Sequence, residues 1–330
     1  MGALVSFFAV VVLVAIVFVG VEAANLRYLF GVIIPYAALI TFIAGFIYRI
    51  VIWARSPVPF RITTTCGQQK SHPWIKNDIL DNPHSTIGVI GRMLLEVLLF
   101  RSLFRNTRLE LRNGPKLAYE WEKWLWLAGL VFHWSFLVIL VRHLRFFTEP
   151  VPVLIQALEG LDAFFQIGLP ALYLSDAVIL AAVTYLFLRR VLIPEIRYIS
   201  LAADYFPLFL IFGLVLSGVL MRYFVRVDVV AIKELAMGLV AFRPSVPEGI
   251  NVLFYIHLFL VSVLFAYFPF SKLMHLGGVF LSPTRNLANN NRMERHTNPW
   301  NYPVKVHTYE EYEDEFRDKM KAAGLPLEKE

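Results

Sequence analysis

Stretches of some twenty apolar residues limit this chain's fold more than any other feature. Lipid offers no partner to a backbone N–H or C=O, so an isolated crossing segment must be helical, and about 20 apolar residues are needed per crossing. Residues 3–21, 28–48, 124–141, 163–188, 205–221 and 249–271 each qualify, and only the fourth carries an acid, Asp176. The expected architecture is an all-α integral membrane protein: a bundle of six transmembrane helices. Composition agrees: 58% of the residues are hydrophobic and 17% charged, against about a quarter charged in soluble domains.

The first run is open to two readings. VEAAN at 21–25 could be a weak leader-cleavage site, but no Lys or Arg precedes the run, which favours a retained helix. Surplus Lys and Arg mark cytoplasmic loops. They gather in Arg55–Lys116, in Arg189, Arg190 and Arg197, and in the tail at Lys272, Arg285, Arg292 and Arg295. Six crossings put all three groups on one side, taken as the cytoplasmic side of a multi-pass inner membrane protein. The net charge of +6 thus reflects topology and calls for no nucleic acid. The single Cys66 rules out an intrachain disulfide or an iron–sulfur cluster held by this chain alone.

Three parts are expected: an N-terminal membrane helix (1–27), a membrane domain (28–282) with a long cytoplasmic loop (55–118), and a cytoplasmic tail (283–330). Within the loop, 86–104 repeats apolar residues at helical spacing and reads as an interfacial helix. Residues 63–83 read as an exposed polar loop. Thr308 with Glu311 is a capping-box pattern opening a helix to about 322; that tail is either a docking element or a plain polar end.

The eight histidines divide by environment. His72, His84, His296 and His307 lie in polar segments. His133 and His143 lie in the third span, and His257 and His275 in or at the end of the sixth. Ionisable groups at membrane depth are costly and usually functional. One could be a satisfied polar group between helices; two on each of two helices are harder to explain that way. Antiparallel spans bring His143 opposite His257 and His133 opposite His275. The separations are unequal on ideal helices, about 15 Å against 27 Å, so tilt or a kink at Pro269 has to absorb the difference. Neutral imidazole ligates iron, and two axial ligands leave no open position, which favours electron transfer. With no CxxCH motif, two non-covalent b haems are expected. Zinc, which wants four ligands, fits less well. A proton-coupled transporter without haem and a structural anchor that binds partners but carries no electrons are the rival readings.

PFSKLMH at 269–275, with HLFL at 257–260 and the ten-residue spacing of His133 and His143, resembles the dihaem cytochrome b (gamma) subunit of respiratory nitrate reductase. The likeness covers about 28–282. The extra first span, the long loop with TTTCGQQKSHPWIKNDILDNP and the polar tail look closer to the membrane cytochrome of the sulfite-reductase-associated electron-transport complex; the heterodisulfide-reductase cytochrome is a relative. The resemblance implies menaquinol as substrate on the outer side. It also implies a cytoplasmic iron–sulfur subunit of the heterodisulfide-reductase type, periplasmic haem c and iron–sulfur subunits, and a second quinone-reactive membrane subunit. His143 and His257 would hold the outer haem and His133 and His275 the inner one, with Arg142 a candidate for haem propionates. The family's quinone site uses a lysine soon after the third-span histidines. None occurs between His143 and Pro170, which leaves Arg145, with Glu149, Glu159 or Asp162 as proton acceptors.

Overall fold

The computed structural model describes residues 1–56, 67–112, 116–163, 171–294 and 306–328. In chain order the helices are α1 (Gly2–Glu22), α2 (Ile34–Arg55), α3 (Thr86–Leu99) and α4 (Arg101–Phe104). After a hairpin of β1 (Thr107–Arg112) and β2 (Lys116–Trp121) come α5 (Lys123–His143), α6 (Val153–Asp162), α7 (Leu174–Leu192) and α8 (Pro194–Ile199). Then follow α9 (Ala202–Leu220), α10 (Val229–Val240), α11 (Val252–Tyr267), α12 (His275–Leu281), α13 (Pro283–Asn286) and α14 (Tyr309–Ala322).

Five segments are long and apolar enough to cross a membrane: Gly2–Glu22, Leu29–Arg55, Lys123–Phe146, Ala202–Val225 and Val252–Phe270. The chain is an integral membrane protein. The fourth expected span, 163–188, corresponds to α7, which starts later and does not join those five. Asp176 near its start and Arg189 and Arg190 at its end shorten its apolar stretch, and 164–170 lie outside the described residues. Nonetheless α7 packs between α5 and α9 and completes a six-helix bundle. The other seams join α9 to α1 and α11, and α11 to α1 and α2. The core is apolar: Val17, Leu210, Leu235, Tyr255 and Leu260 are all but fully buried.

Two further features depart from the sequence reading. The hairpin, antiparallel with Thr107 opposite Trp121, adds a little β structure to the expected all-α fold. The sixth span is not one helix. α11 stops at Tyr267, and two 3-10 turns (Phe268–Phe270 and Lys272–Met274) separated by extended Ser271 carry the chain to α12, which begins at His275. Pro269 lacks the N–H that would continue the ladder. Its ring sits where α2 comes close: a Cβ on Gly45 would fall 2.7 Å from Pro269 Cβ, so the glycine makes that approach possible.

The interfacial helix is present as α3, ended at Phe100 by a left-handed backbone (φ 50°, ψ 47°). Its last carbonyls are met by indoles from α5: Trp126 Nε1 donates to Leu99 O (2.7 Å) and Trp134 Nε1 to Leu98 O (3.1 Å). The described part of the 63–83 loop is folded rather than simply exposed. Gln69, Asp81 and Asn82 are buried, Gln69 bonds Asn291, and Asn289 Nδ2 donates to Asn82 Oδ1 at 2.6 Å. Cys66 lies outside the described residues. The capping box at Thr308 and Glu311 is formed on both sides and opens α14.

Glu96 ties α3 to α13. It accepts from Ser102 N (2.9 Å) and Oγ (2.6 Å) and pairs with Arg285. Burial works to raise this carboxyl's pKa, but the Ser102 bonds and the Arg285 charge outweigh it and hold it below the ordinary value. A depressed folded-state pKa contributes stability that is complete above the unfolded value and is lost as pH falls through the folded one. Amide exchange at 284–286 should therefore accelerate, beyond its intrinsic pH dependence, as pH drops below about 4.3. Glu96→Gln should abolish that step; a step that survives in the variant would assign it to another group.

Candidate functional site

The histidines are delivered by helix periodicity on α5 and by the broken sixth span. At the α3 end of the bundle, the His133 and His275 rings face each other with centres 5.9 Å apart and planes at 80°. At the opposite end, near α6, the His143 and His257 rings are 6.2 Å apart and nearly parallel, at 11°. His143 thus stands beside His257 and His133 beside His275. The unequal spacing is absorbed by the helix break after Tyr267, beyond which His275 comes to lie beside His133 of α5.

Each ring has its Nδ1 occupied. His133 Nδ1 donates to Gly129 O (2.7 Å), His143 Nδ1 to Ile139 O (2.7 Å) and His275 Nδ1 to Lys272 O (2.9 Å). His257 Nδ1 lies 2.9 Å from Ser217 Oγ, whose own proton goes to Leu214 O at 2.8 Å. With its proton on Leu214 O, Ser217 Oγ is free to accept from a protonated Nδ1. A Cβ on neighbouring Gly218 would touch His257 Cε1 at 3.4 Å, so the glycine lets the ring lie against α9. With Nδ1 protonated on all four rings, each Nε2 keeps its lone pair, the arrangement typical of metal-ligating histidine.

This geometry fits haem. Rings whose centres stand about 6 Å apart leave room for one metal at imidazole-bond distance from both, so each pair would hold one haem iron. Among the described residues no cluster of three or more His, Cys, Asp or Glu side chains could hold an ion by itself, so each two-histidine site suits a metal whose other ligands come from a macrocycle. α5 meets α11 through His143 and His257, and α12 through His133 and His275, rather than along a packed seam; α5 packs on α7 instead. Phe100 stands edge-on to His133 at 4.9 Å, bringing the end of α3 against the first pair.

Removing the Ser217 hydroxyl should strand the buried His257 Nδ1–H, at a cost of about 1–3 kcal/mol. Ser217→Ala is expected to speed haem loss to apomyoglobin about tenfold or more, with Ser217→Thr restoring retention. Equal rates in wild type and Ser217→Ala would remove Ser217 from the site.

A polar cluster adjoins the second pair. Arg142, buried, pairs with Asp162 Oδ2 (3.0 Å) and Asp176 Oδ1 (2.6 Å) and donates to Ser175 Oγ (3.0 Å). Ser175 in turn bonds Asp162 through N (2.8 Å) and Oγ (2.6 Å). Tyr223 OH donates to Asp176 Oδ2 at 3.0 Å, and the Tyr173 ring lies against two guanidinium groups, Arg142 at 3.7 Å and Arg222 at 3.9 Å. Arg142 thus spends its donors on α6 and α7 residues. Arg145 Nη1 holds both oxygens of Glu159 at 3.0 Å, and Glu149 pairs with Lys233 of α10. The four quinone-site candidates all lie at this end of the bundle, each in an ion pair.

Lys233, Ser217, Tyr173, Arg222 and Tyr223 escaped the sequence reading. Lys233 had a signal: amphipathic α10 carries it 90 residues after His143, beyond the local window in which a lysine was sought.

Residues 99–296 match the nitrate reductase gamma subunit family. The chain belongs to that family. The four paired histidines of this gamma-family chain fall inside the match, while α1, α2 and α14 lie outside it. The chain is 48% identical over 279 residues to the Hdr-like menaquinol oxidoreductase cytochrome b-like subunit of Archaeoglobus fulgidus, covering 82% of this chain and 83% of that one. It is 43% identical over 274 residues to the protein of the same description from Archaeoglobus profundus, covering 81% of each.

Proposed function

We propose that this chain is the dihaem b membrane subunit of a menaquinol-linked respiratory complex of sulfur metabolism. In this reading it carries electrons between menaquinol on the outer side and a cytoplasmic iron–sulfur subunit of the heterodisulfide-reductase type. The observation that carries the proposal is the double histidine arrangement: two pairs with ring centres 5.9 and 6.2 Å apart, each of which would hold one haem iron, with every Nδ1 hydrogen-bonded. The names of the two Archaeoglobus relatives support the quinol link and the b-type cofactor. The remaining partners are periplasmic haem c and iron–sulfur subunits and a second quinone-reactive membrane subunit.

The basic α3 end faces the cytoplasm and the α6 end the outer side. His133 and His275 hold the inner haem; His143 and His257 hold the outer one. Bound there, the haems supply one-electron carriage across the bilayer. The chain's own residues orient the four rings and provide carboxylates at the outer end. Glu149 is the most exposed of these, its side chain 62% accessible beside Lys233, so it is the group placed to take a proton from a quinol hydroxyl. Asp162 and Asp176 are committed to Arg142.

A pyridine haemochrome assay on the purified chain tests this reading. Two b haems per chain are expected; a colourless chain would leave the transporter reading in possession.

A further inference from the structure

A second polar site lies at the α6 end, on the other flank of the bundle. The turn between α1 and α2 supplies Asn25, Arg27 and Tyr28, the loop before α11 supplies 246–249, and together they enclose a cleft of about 560 Å³. That volume falls within the range of small-ligand pockets. Both rims hold left-handed backbone, Asn25 at φ 52° and Gly249 at φ 82°, and a π-helical turn, Leu29–Ile33, begins just beyond Tyr28.

Two buried polar atoms here have no hydrogen-bond partner among the described residues: Arg27 Nε and Tyr255 Oη. Tyr255 is fully buried, at 0% exposure. Its ring backs onto the cleft wall, since Tyr255 Cε1 and Val246 Cγ2 lie 3.3 and 3.7 Å from the position a Cβ would take on Gly31. No carboxylate of the described residues pairs with Arg27, Glu248 on the rim included. Buried polar atoms are nearly always paired, and an orphan calls for a water, an ion or a ligand. Nε–H can only donate, whereas a phenol can donate or accept, so an acceptor oxygen is the one partner that suits both atoms. The guanidinium favours one that is anionic. Exposed Leu26 and Tyr28 flank Arg27, a composition usual at the lipid–water boundary.

We propose that this cleft binds a phosphate group at the outer membrane boundary, held by Arg27 with Tyr255 behind it. The proposal rests on the membrane placement of the helices and is independent of the haem reading. A lipid headgroup and free phosphate offer the same oxygens, and the test separates them.

Native mass spectrometry of the full-length protein, delipidated in detergent, is to be followed on titration with phosphatidylglycerol, with and without inorganic phosphate. One lipid is expected to bind. Arg27→Gln should weaken it about tenfold or more, the value of a charged hydrogen bond, and Tyr255→Phe by about two- to tenfold. Retention that phosphate does not displace supports a headgroup site. Displacement by phosphate supports a site for the free anion as well. Binding to Arg27→Gln and Tyr255→Phe equal to wild type, or no saturable binding, overturns the proposal. If Arg27→Gln fails to fold, Tyr255→Phe and Arg27→Lys, which keeps the charge and loses Nε, carry the same comparison.

Discussion

His143→Ala is expected to lower the haem of the purified chain from two to one, and menaquinol reduction of the remaining haem should fail with it. Its ring is one side of the outer pair, 6.2 Å from His257, and the described surroundings offer no second imidazole to replace it. His133 and His275 are built from a different turn of α5 and a different element after α11, with their own Nδ1 acceptors. The inner pair should therefore keep its haem and its bis-imidazole spectrum. His257→Ala should give the same result, and His133→Ala the reverse: one haem retained on the outer side, still reduced by quinol but unable to pass electrons inward. Haemochrome counts with stopped-flow reduction by a menaquinol analogue check both. Normal quinol reduction in His143→Ala would refute the assignment of sides, and two haems in that variant would refute the ligand assignment itself.

The second large effect concerns Arg142. Its side chain is 8% exposed, and those of Asp162 and Asp176 are 6% and 15% exposed. Arg142→Met would leave two buried carboxylates without their cation. Breaking a buried pair from one side typically costs about 3–5 kcal/mol, and here one guanidinium serves two acids from α6 and α7. The variant should lose stability by about that amount in denaturant unfolding, with the outer haem lost more readily than the inner. Adding Asp162→Asn and Asp176→Asn should recover much of it, because no charge is then left unpaired. If Arg142→Met unfolds at the wild-type denaturant concentration, the cluster does not hold this end of the bundle together.

Much of this was legible in the chain itself. The helices, the interfacial segment and the Thr308 capping box follow from periodicity and from one local rule each. The pairing of His143 with His257 and of His133 with His275 follows from topology, since spans that alternate direction leave no other partner. What lay beyond sequence was set by contacts distant in the chain. Ser217 becomes the His257 acceptor only because Gly218 admits the ring to α9. That Arg142, expected near haem propionates, also pairs with Asp162 and Asp176 could not be read before the fold brought α6 and α7 to it. The hairpin and α7 show a different limit. Strands of Thr107–Arg112 and Lys116–Trp121 with charged residues between apolar ones are weak signals beside long hydrophobic runs, and a run interrupted by Asp176 overstates where its helix begins.

The interruption after Tyr267 has a wider implication. A continuous helix would couple the two ligands it carries, so that any roll or slide displaced both irons' partners at once. Here His257 moves with α11, whereas His275 follows a separate joint, pinned by Lys272 to Asp204 of α9 (2.6 Å) and by Arg49 to the Pro269 carbonyl (3.1 Å). On the dihaem reading, substitutions around that joint would retune one redox centre while its neighbour stayed as it was, giving two independently adjustable steps on a single electron path.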